Sequence, residues 1–164
     1  MTNSIERFLD QIATRGTWYG GGSAAALACA LSAALMEKLA SQPRLAKALR
    51  PIRVRCIRLI HEDAEVFARV IRAASRQNRS AVQGALKAAV NVPKEIYLRS
   101  QQLLHMSRQI RRTTRPRYQV DLQCAIALAR ASGFSARALI TTNLAWLADP
   151  AYSRRVRRAM AQPR

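Results

Sequence analysis

The chain has 164 residues, with 28 Lys and Arg against 9 Asp and Glu, a formal net charge of +19. That length suits one domain with a sizeable core. No window of about 18 apolar residues runs free of charge, and the opening MTNSIERFLD has early acids and no apolar signal run. A membrane span and secretion are therefore not expected, and a cytoplasmic location is.

The positive charge is nearly all arginine. It suits a polyanionic partner, either nucleic acid or a small ligand rich in phosphate or carboxylate, or else a simply solvated basic surface. Nucleic acid is the less favoured partner. The basic residues are spread over several segments, and aromatics are only 5% of the chain, so stacking platforms are scarce. The densest clusters are RQIRRTTRPR (108–117) and RRVRR (154–158).

Nearly every segment has helical period. Ser4 is placed to cap a helix from Ile5 to about Thr14, with Ile5, Phe8, Leu9 and Ile12 on one face. A loop over 15–22 follows, containing Tyr19-Gly20-Gly21-Gly22. Ser23 is the expected N-cap of the next helix, which Pro43 ends. Along it Leu27, Leu31, Leu35 and Leu39 form an i+4 stripe, and Ala24, Ala28, Cys29, Ser32 and Ala33 keep the other faces small. A long helix covers about 44–75, bent or divided near Pro51. The pattern then predicts a helix over about 80–90 ending near Pro93. The next runs over about 94–111, with Ile96, Leu103, Met106 and Ile110 inward. RTTRPRYQ reads as a loop. A helix from Asp121 to Ala131 is broken at Gly133, and another runs over 135–148. Residues 153–164 form a basic tail or short helix. No period-two strand pattern is present, so the fold class is all-α in a single domain over 1–164.

Certain residues depart from this pattern. Asp63 stands in the stripe Ile52, Cys56, Leu59, Val66/Phe67, Val70 where a hydrophobe belongs. Asn143 intrudes likewise among Leu139, Thr142 and Trp146. Asp121 opens its helix in line with Ala125 and Leu128. A buried carboxylate is costly unless paired, and its pKa tends upward, which makes such groups acid/base candidates. The structural readings compete with this: Asp121 as an N-cap, Asp63 paired with an arginine, Asn143 as a hydrogen-bonded cross-link between helices. Cys29, Cys56 and Cys124 are distant, odd in number and without CxxC spacing, so they read as buried free thiols. His61 and His105 have no metal-ligand spacing and read as surface or structural. The glycines are not followed by Gly-Lys-Ser/Thr, which excludes a Walker loop. At a helix start they offer bare N–H donors and a partial positive charge to an anionic or carbonyl-bearing ligand, unless they serve only a tight turn between packed helices.

Four patches in order resemble the cyclodeaminase/cyclohydrolase family of folate enzymes, which includes formiminotransferase-cyclodeaminase and methenyltetrahydrofolate cyclohydrolase. They are SIERFLDQIA, GGGSAAALACALSAAL, EDAEVFARVIRA with AVQGALKAAVNVP, and VDLQCAIALARASGFSARALITTNLAWLAD. The resemblance spans about residues 4–152. It implies an antiparallel helical bundle of the cyclodeaminase type, a homodimer, and a folate site near the glycine loop. One family reaction closes 5-formimino-tetrahydrofolate to the 5,10-methenyl form with loss of ammonia. The other hydrates the methenyl bridge to 10-formyl-tetrahydrofolate. On the resemblance, Asp63 and Asp121 are the acid/base residues, Gly20, Gly21, Gly22 and Ser23 face the folate, and Asn143 supports the site. The tetrahydrofolate derivative is the substrate, with no metal or redox cofactor, and the arginines suit a polyglutamate tail. Two alternatives remain open: a catalytically inactive member acting in folate binding or assembly, and a basic nucleic-acid-associated helical protein.

Overall fold

The computed structural model describes residues 3–161. Among them are six α-helices: α1 (Ser4–Ala13), α2 (Gly21–Leu39), α3 (Pro43–Ser75), α4 (Arg79–Thr113), α5 (Gln119–Trp146) and α6 (Pro150–Ala161). One 3₁₀ turn, Pro116–Tyr118, leads into α5. The last three residues of the expected basic tail lie outside the described residues.

Helices α2 to α5 form an antiparallel bundle, and cross-helix bonds fix its register. Ser23 on α2 meets Ile60 and Asp63 on α3. Arg55 on α3 meets Glu95 on α4. Asn143 on α5 meets Ala89 on α4. Ser32 on α2 donates to the Ala125 carbonyl on α5, 2.7 Å. Short connections between consecutive long helices produce this up-down order.

Several helix boundaries differ from expectation for physical reasons. Asn3, not Ser4, caps α1, in a reciprocal capping box with Glu6. Helix α2 begins at Gly21 with Gly20 as its cap, so Ser23 lies inside the helix and is fully buried. Pro51 and Pro93 sit within continuous helices of 33 and 35 residues. Gly133 does not break α5, because it lies against α4, where a Cβ would come 2.6 Å from Ser100 Oγ. Packing here overrides local propensity.

The core of α2 is its small side. Ala25, Ala26, Cys29, Ala30 and Ala33 are buried, with Met36 and Leu39, while Leu31 is 47% exposed. The leucine stripe is therefore mostly not the inward face. By length and composition α2 is apolar enough to cross a membrane, although any 18-residue window of it includes Glu37 and Lys38. Here it is the inner helix of the bundle, packed on α3 and α5 and touching α4. On α5, Ile140 and Leu144 are buried rather than the stripe ending at Trp146, which is exposed. Cys29 and Cys56 are buried as expected, but Cys124 is exposed.

Helix α2 has 19 residues and is much shorter than α3 to α5. Beyond its N-terminus the longer helices continue, and there Leu86, Val90, Ile140, Leu144 and Leu147 make a second core sealed by Val156 of α6. The start of α2 thus falls inside the bundle wall, not at its tip.

Candidate active site

The sequence places a glycine run and an aspartate on different helices, and the fold joins them. A Cβ built on Gly22 would lie 2.0 Å from Asp63 Oδ1. Only a residue without a side chain lets α3 carry its carboxylate this close to the first turn of α2. Gly20 and Gly21 differ: nothing lies within 4 Å of a Cβ at either position. One glycine of the run is used by Asp63, and the other two leave open backbone.

Asp63 is held by Ser23. The Ser23 hydroxyl donates to Asp63 Oδ2 at 3.0 Å and also lies 3.0 Å from the Ile60 carbonyl oxygen. The Ser23 backbone N–H also favours the charged form of this carboxylate. The cap residue Gly20 has no side chain to offer, and the Asp63 carboxylate from another helix lies against the first turn of α2, where the helix start leaves donors unpaired. Burial pushes the Asp63 carboxyl above the ordinary aspartate range, and the Ser23 bonds pull it partly back. No arginine pairs with Asp63 among the described residues, so the structural ion pair considered above is not formed.

The loop before α2 walls this region with aromatic groups. The Tyr19 hydroxyl and His61 Nδ1 are 2.9 Å apart. Tyr19 stacks edge-on against Phe8 and His61, and Trp18 does so against Phe67. His61 and Tyr19 were not expected as a pair. The signal was present in the sequence, since His61 lies two residues before Asp63, and Tyr19 stands directly before the glycines.

The remaining candidates lie elsewhere. Asp121 is in the first turn of α5, not at its cap, and its carboxylate is 3.6 Å from Lys38 Nζ. Lys38 and Ser23 are 15 residues apart on α2, about 22 Å along the axis. Within one chain Asp121 and Asp63 are therefore at opposite ends of α2. Asn143 sits at the Asp63 end, where its Nδ2 donates to the Ala89 carbonyl at 2.7 Å. That carbonyl is the one Pro93, four residues on, cannot serve. His105 is exposed on α4 and remote from Asp63 in sequence register. Among the described residues no three His, Cys, Asp or Glu side chains converge as a metal site would require.

The described residues form an all-α antiparallel bundle with a half-buried carboxylate at the internal start of α2. The formiminotransferase-cyclodeaminase family model matches residues 4–162, and the chain belongs to that family. The fold superimposes on the crystal structure of formiminotetrahydrofolate cyclodeaminase from Thermotoga maritima with a TM-score of 0.90 at 22% identity, covering 96% of this chain and 86% of that one. No curated protein sequence matches the chain.

Proposed function

We propose that the protein is a folate-dependent one-carbon enzyme that forms or opens the 5,10-methenyl bridge of tetrahydrofolate, with Asp63 as its acid/base. The observation carrying this reading is the carboxylate itself. It is partly buried, oriented by Ser23, raised in pKa by burial, and adjacent to open glycine backbone. A carboxyl held in place by Ser23 and shifted upward by burial is suited to exchange a proton with a substrate nitrogen or with water. Family membership and the likeness to formiminotetrahydrofolate cyclodeaminase supply the substrate class.

In cyclodeamination, N10 attacks the formimino carbon and makes a tetrahedral centre. The formimino nitrogen then leaves as ammonia with a proton that Asp63 can provide. In cyclohydrolysis, water adds to the methenyl carbon as Asp63 takes its proton, and the bond to N5 breaks with that proton returned. Both steps need one proton carrier beside one carbon. The partial positive charge at Gly20–Gly21 suits carbonyl or carboxylate groups of the ligand.

The test is a spectrophotometric one. Loss of 5,10-methenyl-tetrahydrofolate, or its appearance from 5-formimino-tetrahydrofolate, is compared with the spontaneous rate for wild type and Asp63→Asn. Acceleration that Asp63→Asn removes is expected for one of the two substrates. No acceleration with either sinks the enzymatic reading, and folate binding without turnover would select the inactive alternative.

A further inference from the structure

The basic residues are scattered along the sequence, but the antiparallel bundle gathers many of them at one end. Between Lys38 and His61 the chain has no Asp or Glu, and between Ile96 and Val120 it has none either. The start of α3 and the end of α4 meet at that end, about 30 Å along α3 from Asp63. There the α2–α3 and α4–α5 links lie side by side across a cleft lined by Lys38, Ala40, Thr114 and Arg115. Arg44, Lys47 and Arg50 are exposed near the start of α3, Arg111 and Arg112 on the last turn of α4, and Arg115 and Arg117 on the link to α5. Among the described residues none of these cations pairs with a carboxylate. The carboxylates at this end, Glu37 and Asp121, are taken by Arg53 and Lys38.

Folding does not account for this charge. Arg111 and Arg112 suit the negative end of α4. Arg44, however, stands in the first turn of α3, and Arg115 and Arg117 just before α5, where a helix is positive and disfavours cations. The cations also repel one another. An anion brought from outside relieves both penalties.

We infer that this end of the bundle docks the phosphate backbone of a nucleic-acid duplex, in addition to the folate chemistry proposed at Asp63. The cations are spread along about 9 Å of α3 and over α4 and its link. They do not converge in a cavity: the cleft here holds about 240 Å³, and only Lys38 and Arg115 of its lining are basic. An extended polyanion matches such a surface, and a compact ligand does not. A duplex carries one negative charge per about 1.7 Å of its axis, and the planar fork of arginine matches its phosphate oxygens. Tyr118 is the aromatic residue of the link, and Arg117 covers its ring at 4.8 Å from the centroid. The end therefore offers no free platform for splayed bases, and backbone contact is the mode left to it.

Fluorescence anisotropy with a labelled duplex of about 20 base pairs, as DNA and as RNA, tests this on the full chain. Wild type should bind both, with log affinity falling linearly against log salt. Arg44→Gln/Lys47→Gln/Arg111→Gln should lower that slope by about three and weaken binding at physiological salt. Arg69→Gln/Arg72→Gln/Arg76→Gln is the control and should bind as wild type. It removes the same charge from exposed positions toward the other end of α3, with Arg76 about 48 Å from Arg44. Equal losses in the two triple variants would mean binding by net charge alone and would overturn the surface, as would a wild type that does not bind at physiological salt. A single strand that binds more tightly than the duplex overturns the choice of partner. So does a pentaglutamate peptide that displaces the duplex as well as unlabelled duplex does at equal charge concentration. If the first triple variant does not fold, Arg115→Gln/Arg117→Gln, outside the long helices, replaces it, with the slope falling by about two. Asp63→Asn should bind the duplex as wild type does, so a failure here and a failure of folate turnover are read separately.

Discussion

Gly22 and Asp63 are shaped to each other: a Cβ on Gly22 would stand 2.0 Å from Asp63 Oδ1. Gly22→Ala must therefore push the carboxylate away from Ser23 or separate α2 from α3. Overpacking of this kind costs about 1–3 kcal/mol, and turnover should fall with it. Gly21→Ala meets nothing within 4 Å, so its stability should stay within about 0.5 kcal/mol of wild type. If Gly21 faces the ligand, KM rises in Gly21→Ala while the melting temperature holds. Urea unfolding and steady-state kinetics on the two variants separate the fold-holding glycine from the ligand-facing one. Equal stability of both variants would refute the close fit.

The pH dependence of Asp63 follows from the direction of its shift. Burial raises its folded pKa above the unfolded value. A carboxyl shifted that way stabilises the fold most when protonated, below the unfolded pKa. That contribution is lost as pH rises through the folded pKa. Asp63→Asn keeps the shape and removes the charge. It should melt at or above wild type at pH 7, with the gap closing as pH falls to the ordinary aspartate range, and it should be inactive. A variant that melts far below wild type at pH 7, or that turns over, assigns Asp63 a structural role.

How much of this was legible in the sequence depends on distance along the chain. The helices, their apolar faces on α3 and α4, and the misplaced Asp63 follow from local periodicity. The closeness of Gly22 to Asp63 does not, because it is set by the register of α2 against α3, 41 positions apart. The side of α2 that forms the core was misjudged for a related reason. Four leucines suggest an inward stripe, yet close helix approach selects the alanine side and leaves Leu31 outside. Pro93 and Gly133 read as breaks because each is a poor helix former alone, and both are retained by contacts from a neighbouring helix. The Ser23–Asp63 bond, by contrast, could have been suspected, since Asp63 stood in an apolar stripe and lacked a local partner.

The pairing of Asn143 with Pro93 gives a double-mutant test. Pro93 has no N–H for the Ala89 carbonyl, and Asn143 Nδ2 donates to that oxygen at 2.7 Å. Asn143→Ala leaves this half-buried carbonyl without its protein donor, at a cost of about 1 kcal/mol. Pro93→Ala restores the helical donor and should remove most of that cost in the double variant. Urea midpoints for the two single variants and the double measure the coupling. If the effects simply add, Asn143 does not serve the orphaned carbonyl, and a role toward ligand becomes the better account of it.

The ion cluster around Arg55 predicts an acid limb to stability. Arg55 bonds Glu95 Oε2 at 2.7 Å and also engages Glu62, and Arg99 reaches Glu95 Oε1 at 3.1 Å. The Arg55 bond, aided by Arg99, holds the Glu95 carboxyl below the usual glutamate range against a desolvation effect. A carboxyl depressed in the folded state contributes stability that is present above its unfolded pKa. That stability is lost as pH falls through the folded pKa. The Arg55 and Glu95 side chains are 31% and 29% exposed, so solvent screening keeps the pair to about 1 kcal/mol. Glu95→Gln should therefore lower stability modestly at pH 7 and flatten its decline in acid, with wild type and variant converging below the glutamate range. Thermal melts from neutral pH into the acid range check this. An unchanged acid slope in Glu95→Gln would move the origin of acid sensitivity to another carboxylate, with Asp149, paired to Lys87 at 2.8 Å, the next to substitute.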